Sequence, residues 1–474
     1  MKNNIKQLGY FLVSIFVILI LYLSYVVVQQ GEALATHPQN RRLAAREAAI
    51  IRGTIFDRQG TVLAETQWDG HQGKRVYRME GTVSPFAQVI GYVSDRYGSA
   101  GLEASYGKEL LGLTDADAIE NLLDKILNRT PRGNDLVLTL DATLQKVALE
   151  ALKGRKGAVV ALDPRDGSIL AMVSSPAYNT NAIGDAKVWD QLNGDELNAP
   201  LLNRAAQGAY APGSVIKLVT GAGLLEQQKI QPQDTIQCPG YTIVDGYKMV
   251  DNRAHGTVDF NKALALSCNT YFAQGGMKLG WKGFLEQADR FGLTAAPEIG
   301  LPVRAGTLAA AKRQTQSQLA ETSFGQGDTL ISPLHMAMVG SAIAHQGMIM
   351  KPYLVQAVRK PDGTPVRSME PAQWLRATTP EVAAQITQGM ISSVEWGTAT
   401  AAAIPGVKVA GKTGTAETKS EKDPNSLPHA WFVGFAPADQ PSIALAVVVE
   451  KAGSGAVVAA PIAREVMAAA LKSR

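Results

Sequence analysis

The chain has 474 residues, of which 46% are hydrophobic and 19% charged, an ordinary balance for a globular protein of two to three domains. The formal net charge is only +4, and the lysines and arginines form no dense block along the sequence. Nucleic-acid binding therefore has no support, and we predict no nucleic-acid partner.

The N-terminus carries one long apolar segment. Residues 9–28 form an uncharged segment that is long enough to cross a bilayer as one helix. A cleaved signal peptide is the competing interpretation, because residues 33–35 (Ala-Leu-Ala) resemble a cleavage site, but signal peptides have shorter apolar cores. We predict a retained anchor at residues 9–28 and a cytoplasmic tail at residues 1–8. Basic residues flank the segment on both sides, so charge alone does not orient it.

The region after the anchor, residues 29–155, is predicted to form a membrane-proximal pedestal domain. Turn-forming residues 57–60 (Asp-Arg-Gln-Gly) stand between two short strand patterns, and residues 115–129 have the pattern of a charged helix. A turn-rich stretch at residues 131–135 ends this region, and we predict a domain boundary near residue 155.

The remaining part, residues 156–474, is predicted to form one domain of mixed strands and helices. Residues 157–176 contain two alternating apolar strands joined by a turn, which is the pattern of a hairpin. Strand patterns recur at residues 407–415, 430–437 and 442–453, and a helix pattern follows at residues 460–473. About five strands from the two ends of this part therefore contribute to one sheet around a central segment rich in helix signals.

A serine and a lysine in the central segment are the first candidate catalytic residues. Pro212 and Gly213 break the chain, and the apolar stripe that follows predicts that Ser214 lies in the first turn of a helix. Lys217 is then one turn away on the same face. A serine hydroxyl is a weak nucleophile until a base takes its proton, and a neutral lysine amine can do so. Burial or a neighbouring cation keeps that amine neutral, and Lys412 is a candidate for the cation.

The Ser-x-x-Lys pattern is weak by itself, because the chain contains a second copy at Ser105 and Lys108. We interpret that copy as chance, since a glycine interrupts any helix there. Ser214 differs because two further elements follow it in order, at residues 267–269 (Ser-Cys-Asn) and residues 412–414 (Lys-Thr-Gly). Three ordered elements across one domain are far more specific than any one of them.

The last of these elements also fits a nucleotide-binding pattern. Residues 406–413 match G-x-x-x-x-G-K-[ST], but a phosphate-binding loop needs a buried strand before the first glycine and a helix after the Lys-Thr pair. Here the alternation leading to Lys412 predicts a strand, and the polar run after Thr415 predicts a loop. We therefore reject nucleotide binding.

Neither a metal nor another cofactor is predicted. The six histidines are scattered, and the chain has neither an H-E-x-x-H nor a C-x-x-C motif. The two cysteines, Cys238 and Cys268, are compatible with a disulfide or with two free buried thiols, and the sequence does not decide between them.

The three elements resemble the motifs of the penicillin-binding transpeptidases, the D,D-peptidases that cross-link bacterial peptidoglycan. The likeness extends to LLNRAAQGAYAPGSVIK, FGQGDTLISPLHMA, GKTGTAE and AWFVGFAP. RGTIFDRQGTVLA, AGLEASYGKELLG and LVLTLDATLQ resemble the membrane-proximal region of the monofunctional class B branch, so the likeness covers nearly the whole chain from residue 52. Residues 29–155 are too few for the glycosyltransferase domain of the class A branch. Small departures are His335, where glutamine is more usual, and Cys268 at the variable motif position.

The resemblance implies an α+β fold, similar to penicillin-binding transpeptidases and serine β-lactamases. This fold has an antiparallel sheet of about five strands, flanking helices and a helical subdomain. In the chain it is preceded by one transmembrane helix and the small pedestal domain. It implies that Ser214 attacks the carbonyl between the terminal D-alanines of a stem peptide, with Lys217 as general base. Ser267 relays a proton to the departing amine, and Asn269 binds the substrate amide and fixes Lys217.

The same resemblance assigns the substrate-binding side of the site. Lys412, with the hydroxyls of Thr413 and Thr415, holds the terminal carboxylate of the substrate. Gly414 allows close approach, and the backbone amides of Ser214 and Thr415 form the oxyanion hole.

The resemblance also implies where the protein acts and with what. Its substrates are peptidoglycan stem peptides ending in D-Ala-D-Ala, β-lactams acylate it, and a single-pass anchor holds the catalytic domain outside the cell membrane. A polytopic glycan-polymerising glycosyltransferase is the expected partner. The rival hypotheses are a D,D-carboxypeptidase or β-lactamase, in which water deacylates the enzyme, and an anchored sensor or scaffold that is acylated without turnover.

Overall fold

The computed structural model describes residues 2–30, 47, 49–70, 73–114, 117, 123, 126–308, 315–418 and 425–472. The strands, numbered in chain order, are β1 Ile55–Phe56, β2 Val62–Trp68, β3 Gly73–Tyr77, β4 Val93–Ser94, β5 Gly98–Ser99, β6 Asp135–Leu138, β7 Gly157–Leu162, β8 Ile169–Ser175, β9 Ile236–Cys238, β10 Tyr241–Val244, β11 Tyr247–Val250, β12 Gly256–Val258, β13 Met348–Met350, β14 Val355–Arg359, β15 Pro365–Ser368, β16 Gln373–Arg376, β17 Ala410–Ala416, β18 His429–Ala436 and β19 Ile443–Val449. The α-helices are α1 Lys2–Tyr25, α2 Ala87–Ile90, α3 Gly101–Ser105, α4 Gly107–Leu110, α5 Ala142–Leu152, α6 Ala186–Gly194, α7 Arg204–Gln207, α8 Lys217–Glu226, α9 Phe260–Ala265, α10 Asn269–Arg290, α11 Gln316–Phe324, α12 Pro333–Ala344, α13 Pro380–Glu395 and α14 Ala459–Lys472.

The apolar N-terminal segment forms the helix α1, which continues into a short π-helical turn at Val26–Gln30. Within the stretch Lys6–Gln30, the most apolar window of 18 residues has a mean hydropathy of 2.8, and none of that window is buried against the rest of the protein. It is therefore a candidate membrane span, consistent with the predicted anchor at residues 9–28.

A five-stranded sheet, here called the catalytic sheet, lies at the centre of the second part of the chain. Its strand order is β17-β18-β19-β7-β8, with every neighbouring pair antiparallel. β7, β8 and β19 are buried on both faces, because α12 covers one face while α5 and α14 cover the other. This confirms the predicted α+β fold with a sheet of five strands built from the two ends of the domain. It also leaves β17 as an edge strand.

A second, six-stranded sheet, here called the pedestal sheet, has the order β15-β14-β6-β1-β2-β3. β1 and β2 flank the predicted turn at residues 57–60, which confirms that pattern. Two of its strands, β14 and β15, come from far along the chain: Val355 pairs with Leu138 and Arg359 with Asp135. Conversely, α5 lies before residue 155 yet packs on the catalytic sheet. The boundary near residue 155 stays a prediction, and most of residues 115–129 lie outside the described residues.

A buried triad of one carboxylate and two guanidinium groups holds helix α3 against the pedestal sheet. Glu103 is fully buried and accepts hydrogen bonds from Arg52 Nε at 2.6 Å and from Arg75 Nε at 2.7 Å. Arg75 Nη1 also donates to the carbonyl oxygen of Gly53 at 2.7 Å. Burial favours the protonated acid, but the two guanidinium groups outweigh it and hold the pKa of Glu103 below its usual value. The triad therefore joins α3 to the strands through a charge that depends on both arginines.

Replacing Glu103 by glutamine is expected to destabilise the protein by about 3–5 kcal/mol, because two buried guanidinium groups lose their counter-charge. Urea unfolding followed by circular dichroism measures this. The matched control is Glu286→Gln, which removes an exposed i,i+4 ion pair with Lys282 and is expected to leave the midpoint unchanged. Equal midpoints for the two variants would show that the triad contributes no more than a surface pair.

Candidate active site

Ser214 lies in a 3-10 turn, Gly213–Ile216, directly before α8. The turn packs against β17: Gly213 has φ +55°, and a Cβ added there would lie 2.7 Å from the carbonyl oxygen of Thr415. Glycine therefore supplies both the left-handed conformation and the close approach. The predicted helix starts here, but its first turn is 3-10, and Lys217 is the first α-helical residue.

Lys217 joins the first sequence element to the second. Its side chain is fully buried. Its Nζ lies 2.8 Å from the carbonyl oxygen of Ser267, 3.1 Å from Ser267 Oγ and 2.6 Å from Asn269 Oδ1. Nζ also lies 5.6 Å from the ring centroid of Phe272, within cation–π range. The structure thus brings Ser267 and Asn269 to Lys217, whereas Ser214 Oγ is not among the polar contacts of Nζ.

The environment of Lys217 favours a neutral amine. Burial lowers its pKa to about 7, and the electrostatic influence of Cys268 and Asp251 opposes this only in part. Lys412 is also fully buried, and burial together with the nearby Lys217 lowers its pKa well below the usual value. Lys217 therefore disfavours the charge on Lys412. The lowered pKa of Lys217 has burial as its cause, so the sequence argument that Lys412 keeps Lys217 neutral stays a prediction.

The third element lies on β17, at the open edge of the catalytic sheet. Lys412 Nζ donates to the carbonyl oxygen of Thr413 at 2.9 Å, and Thr413 Oγ1 donates to Thr398 Oγ1 at 2.8 Å. A Cβ added at Gly414 would lie 2.9 Å from Trp431 Cβ and 3.1 Å from the carbonyl oxygen of Pro212. Glycine therefore lets the Ser214 turn approach the strand, and the unpaired edge faces the site.

The structure also shows where the two rejected motifs lie, the nucleotide-binding pattern and the second Ser-x-x-Lys copy. Lys412 and Thr413 lie inside β17 and not at a helix N-terminus, so the nucleotide-binding geometry is absent at these described residues. Ser105 ends α3 and Lys108 lies in α4; both side chains are exposed, and Ser105 Oγ donates to the carbonyl oxygen of Gly101.

Asp251 is a site residue that the sequence analysis missed. Its carboxylate accepts hydrogen bonds from the backbone N–H of Asn269, from Thr270 N at 3.2 Å and from Thr270 Oγ1 at 2.6 Å, so it caps the start of α10. The preceding Ser267 has φ +59°, a left-handed conformation that typically costs about 1–3 kcal/mol for such a residue. A cap and a tight turn thus orient the second element, and a lone aspartate with no neighbouring motif gives no sequence signal.

The loop after α11 is a second feature that the motifs did not reveal. At Gly325, φ is +93° and an added Cβ would lie 1.8 Å from the carbonyl oxygen of Gly213. Gln326 Nε2 lies 3.5 Å from the carbonyl oxygen of Thr415, and its Oε1 accepts from Glu417 N at 3.3 Å. The loop therefore braces the Ser214 turn and the end of β17 together.

Replacing Gly325 by alanine is expected to slow acylation of the protein by a β-lactam about 100-fold, because the added methyl group displaces the Ser214 turn. Stopped-flow measurement with a fluorescent penicillin gives the rate. The control is Gly327→Ala, which has a similar φ of +82° but whose added Cβ meets nothing closer than 3.8 Å. Equal rates for the two variants would contradict a bracing role, since both share the left-handed strain.

A second group of polar side chains lies behind the Ser267 turn. The potential metal-ligating atoms of Cys238, Asp251, His255 and Cys268 all lie within 4.8 Å of one another. Both cysteines are free and buried, which answers the question that the sequence left open. The sequence predicted no metal, because its histidines are scattered and it has neither an H-E-x-x-H nor a C-x-x-C motif. The group is metal-compatible by composition, and it holds the turn that carries Ser267 and Asn269.

Two family models match the chain. The model described as the penicillin binding protein transpeptidase domain matches residues 157–468, and the model described as the penicillin binding protein A dimerisation domain matches residues 52–136. Together they cover most of the catalytic part and much of the predicted pedestal.

Named relatives and solved structures indicate the same family as the two family models. The chain is 34% identical to the peptidoglycan D,D-transpeptidase PbpA of Mycolicibacterium smegmatis, over 100% of this chain and 99% of the relative. It is 35% identical to the peptidoglycan D,D-transpeptidase MrdA of Acinetobacter baumannii, over 80% of this chain and 64% of the relative. The structure of penicillin-binding protein A from M. tuberculosis as a ceftriaxone acyl-enzyme superposes with a TM-score of 0.83 at 34% identity, covering 90% of this chain and 99% of that one.

Proposed function

Because the chain belongs to the penicillin-binding transpeptidase family and is a serine-type peptidoglycan D,D-transpeptidase of cell-wall synthesis, we propose that Ser214 is its nucleophile. One observation carries this proposal: the Ser214 turn, the buried Lys217 with Ser267 and Asn269, and the edge strand β17 meet at one place. The donor substrate is a stem peptide ending in D-Ala-D-Ala, and β-lactams acylate the same serine.

Acylation begins when Ser214 Oγ attacks the carbonyl carbon between the two D-alanines. A neutral lysine amine has two N–H bonds and one lone pair. Nζ donates to the carbonyl oxygen of Ser267, to Ser267 Oγ and to Asn269 Oδ1. A neutral amine keeps two of these three donations and frees its lone pair for Ser214. When substrate binds, the lone pair turns to Ser214 and takes its proton, since catalytic hydrogen bonds commonly tighten only in the complex.

The proton then leaves through the second element. Lys217 passes it to the departing amine through the hydroxyl of Ser267, with which it is already in contact. The C–N bond of the tetrahedral intermediate breaks, D-alanine leaves, and the acyl group stays on Ser214. The side-chain amide of Asn269, which accepts from Lys217 at Oδ1 and donates to the carbonyl oxygen of Val250 at Nδ2, binds the substrate backbone.

Strand β17 positions the substrate. An extended peptide adds to its open edge as a further strand, which uses backbone hydrogen bonds that the sheet itself leaves unpaired. Lys412 supplies positive potential once the terminal carboxylate of the substrate provides a counter-charge that favours its protonated form, and Thr413 and Thr415 supply hydroxyls for that carboxylate. The N–H groups of Ser214 and Thr415 stabilise the oxyanion, a contribution whose loss typically reduces kcat by about 10²–10³ per donor.

The acceptor decides between cross-linking and hydrolysis. An amine from a second stem peptide takes the acyl group in a transpeptidase, water takes it in a D,D-carboxypeptidase or β-lactamase, and neither does so in a sensor. The test is full-length protein in detergent with a stem peptide ending in D-Ala-D-Ala plus an amine acceptor, followed by mass spectrometry. Cross-linked peptide supports the proposal; exclusive tetrapeptide, or acyl-enzyme without turnover, overturns it.

We also propose that residues 9–28 span the membrane once and hold the catalytic domain outside the cell. The helix length, its hydropathy and the extracytoplasmic location of peptidoglycan support this. The pedestal between anchor and catalytic sheet offers a surface for a polytopic glycan-polymerising glycosyltransferase. Protease added to spheroplasts should degrade the catalytic domain while leaving a membrane-bound N-terminal fragment; full protection would contradict this topology.

A further inference from the structure

The group of four side chains behind the Ser267 turn is built from three separate segments of the chain. Cys238 ends β9, His255 immediately precedes β12, and the backbone of these segments pairs where His255 N donates to the carbonyl oxygen of Cys238 at 3.1 Å. Asp251 follows β11, and Cys268 is the residue before α10. Cys238, His255 and Cys268 are buried, so the atoms face one another away from bulk solvent.

The spacing of the atoms matches the edges of a tetrahedron around a zinc ion. Cys238 Sγ lies 3.4 Å from Asp251 Oδ2 and 3.5 Å from His255 Nδ1, and the other carboxylate oxygen, Asp251 Oδ1, lies 3.8 Å from His255 Nδ1, so either oxygen is near one of the two neighbours. Tetrahedral Zn²⁺ with ordinary bonds to sulfur, nitrogen and oxygen requires ligand atoms about 3.3–3.8 Å apart. The fourth atom, on Cys268, is within 4.8 Å of the other three, so only a small closure is needed.

Neighbouring groups already orient the candidate ligands. His255 Nε2 lies 3.0 Å from Asn252 Oδ1, and an N–H at Nε2 donating there leaves the lone pair of Nδ1 directed at the group. Cys268 Sγ accepts the backbone N–H of Tyr271 at 3.4 Å, at the N-terminus of α10 where a negative sulfur is favoured. Asp251 is held by Asn269 and Thr270. Partners of this kind commonly support metal ligands.

We propose that Cys238, Asp251, His255 and Cys268 form a structural Zn²⁺ site. Binding converts two thiols to thiolates and releases two protons to solvent, so the site combines two thiolates, one carboxylate and one neutral imidazole. Soft sulfur together with imidazole and one oxygen selects Zn²⁺ over Mg²⁺ or Ca²⁺, which prefer oxygen ligands alone. With four protein ligands the site is closed, which marks it as structural and not catalytic.

The site lies directly beside the catalytic residues. Cys268 stands between Ser267 and Asn269, so the metal anchors the middle of that element to β9 and β12. It holds the left-handed turn at Ser267 and so the two groups that contact Lys217. The metal is a positioning device for the transpeptidase site, because it touches no reacting atom.

The test is zinc content in full-length protein, purified in detergent without chelators and measured by elemental mass spectrometry. We expect about one zinc per chain, falling to near zero in Cys238→Ser and in His255→Gln. His345→Gln, a histidine outside the group at the end of α12, is the matched control and is expected to keep its zinc. Folded parent protein with no zinc, zinc retained by both variants, or an intact mass showing a Cys238–Cys268 disulfide would each overturn the proposal.

A second measurement covers the case in which the variants do not fold. Co²⁺ exchanged into the parent protein is expected to give visible d–d bands of tetrahedral intensity together with a sulfur-to-cobalt charge-transfer band. Absence of the charge-transfer band would exclude thiolate ligation and overturn the proposal. Chelator treatment is further expected to slow acylation by benzylpenicillin and to lower the unfolding temperature together, with both restored by added Zn²⁺ and not by Mg²⁺.

Discussion

Replacing Ser214 by alanine is expected to abolish covalent modification by benzylpenicillin and to lower transpeptidation by about four to six powers of ten. The parent protein gains the mass of one penicillin, whereas the variant stays at its own mass because no other group takes the nucleophile's position. Intact-mass spectrometry of the full-length protein measures this directly. The fold is expected to be unchanged, since Ser214 Oγ is not among the contacts that hold Lys217.

The chain supplies its own control for this experiment. Ser105 and Lys108 have the same Ser-x-x-Lys spacing, but both are exposed and lie in the predicted pedestal. Ser105→Ala is therefore expected to keep full acylation. If Ser214→Ala still gains the penicillin adduct and Ser105→Ala does not, Ser105 is the nucleophile and the assignment of Ser214 is wrong.

Lys217→Ala is expected to slow acylation by about 10²–10⁴, the usual contribution of a positioned general base. The pH dependence is the sharper readout. Burial lowers the pKa of Lys217 to about 7, so protonation of the amine on acidification removes the base. The acylation rate should rise with pH, be half-maximal near pH 7, and fall about tenfold per unit below it.

Stopped-flow acylation from pH 5.5 to 9 measures this profile, and the variant is expected to lose the inflection as well as the rate. Lys278→Ala, which removes an exposed lysine from α10, is expected to keep both. A parent profile that is flat through this range would contradict a neutral Lys217 as the base. An inflection that persists in Lys217→Ala would assign the titration to another group.

The sequence predicted the parts of this fold that follow local rules. β7, β8, β17, β18 and β19 were recognisable because apolar alternation and turn residues are local signals, and the three elements around Ser214 were recognisable because their order is specific. The first turn at Ser214 was harder, because a 3-10 turn and an α-helical turn have the same apolar spacing. Its geometry depends on the contact of Gly213 with Thr415 and Gly325, which no local pattern reports.

The features that the sequence did not reveal all depend on distant segments. Asp251 caps a helix that begins eighteen residues later, and its partners Cys238 and Cys268 lie on either side of it in the chain. A metal-ligating spacing is recognisable only when one turn or hairpin carries several ligands. The bracing by Gln326 is likewise set by tertiary packing, since its amide meets β17 ninety residues further on.

The composition of the pedestal sheet has a consequence for biosynthesis. β6 is an inner strand of that sheet, yet the strand on one side of it, β14, is encoded more than two hundred residues later. During synthesis from the N-terminus, the first 155 residues therefore emerge with β6 as an exposed edge, and the sheet is completed only after residue 368 has emerged. The pedestal sheet therefore cannot be completed until most of the catalytic region, including Ser214 and Asn269, has been synthesised.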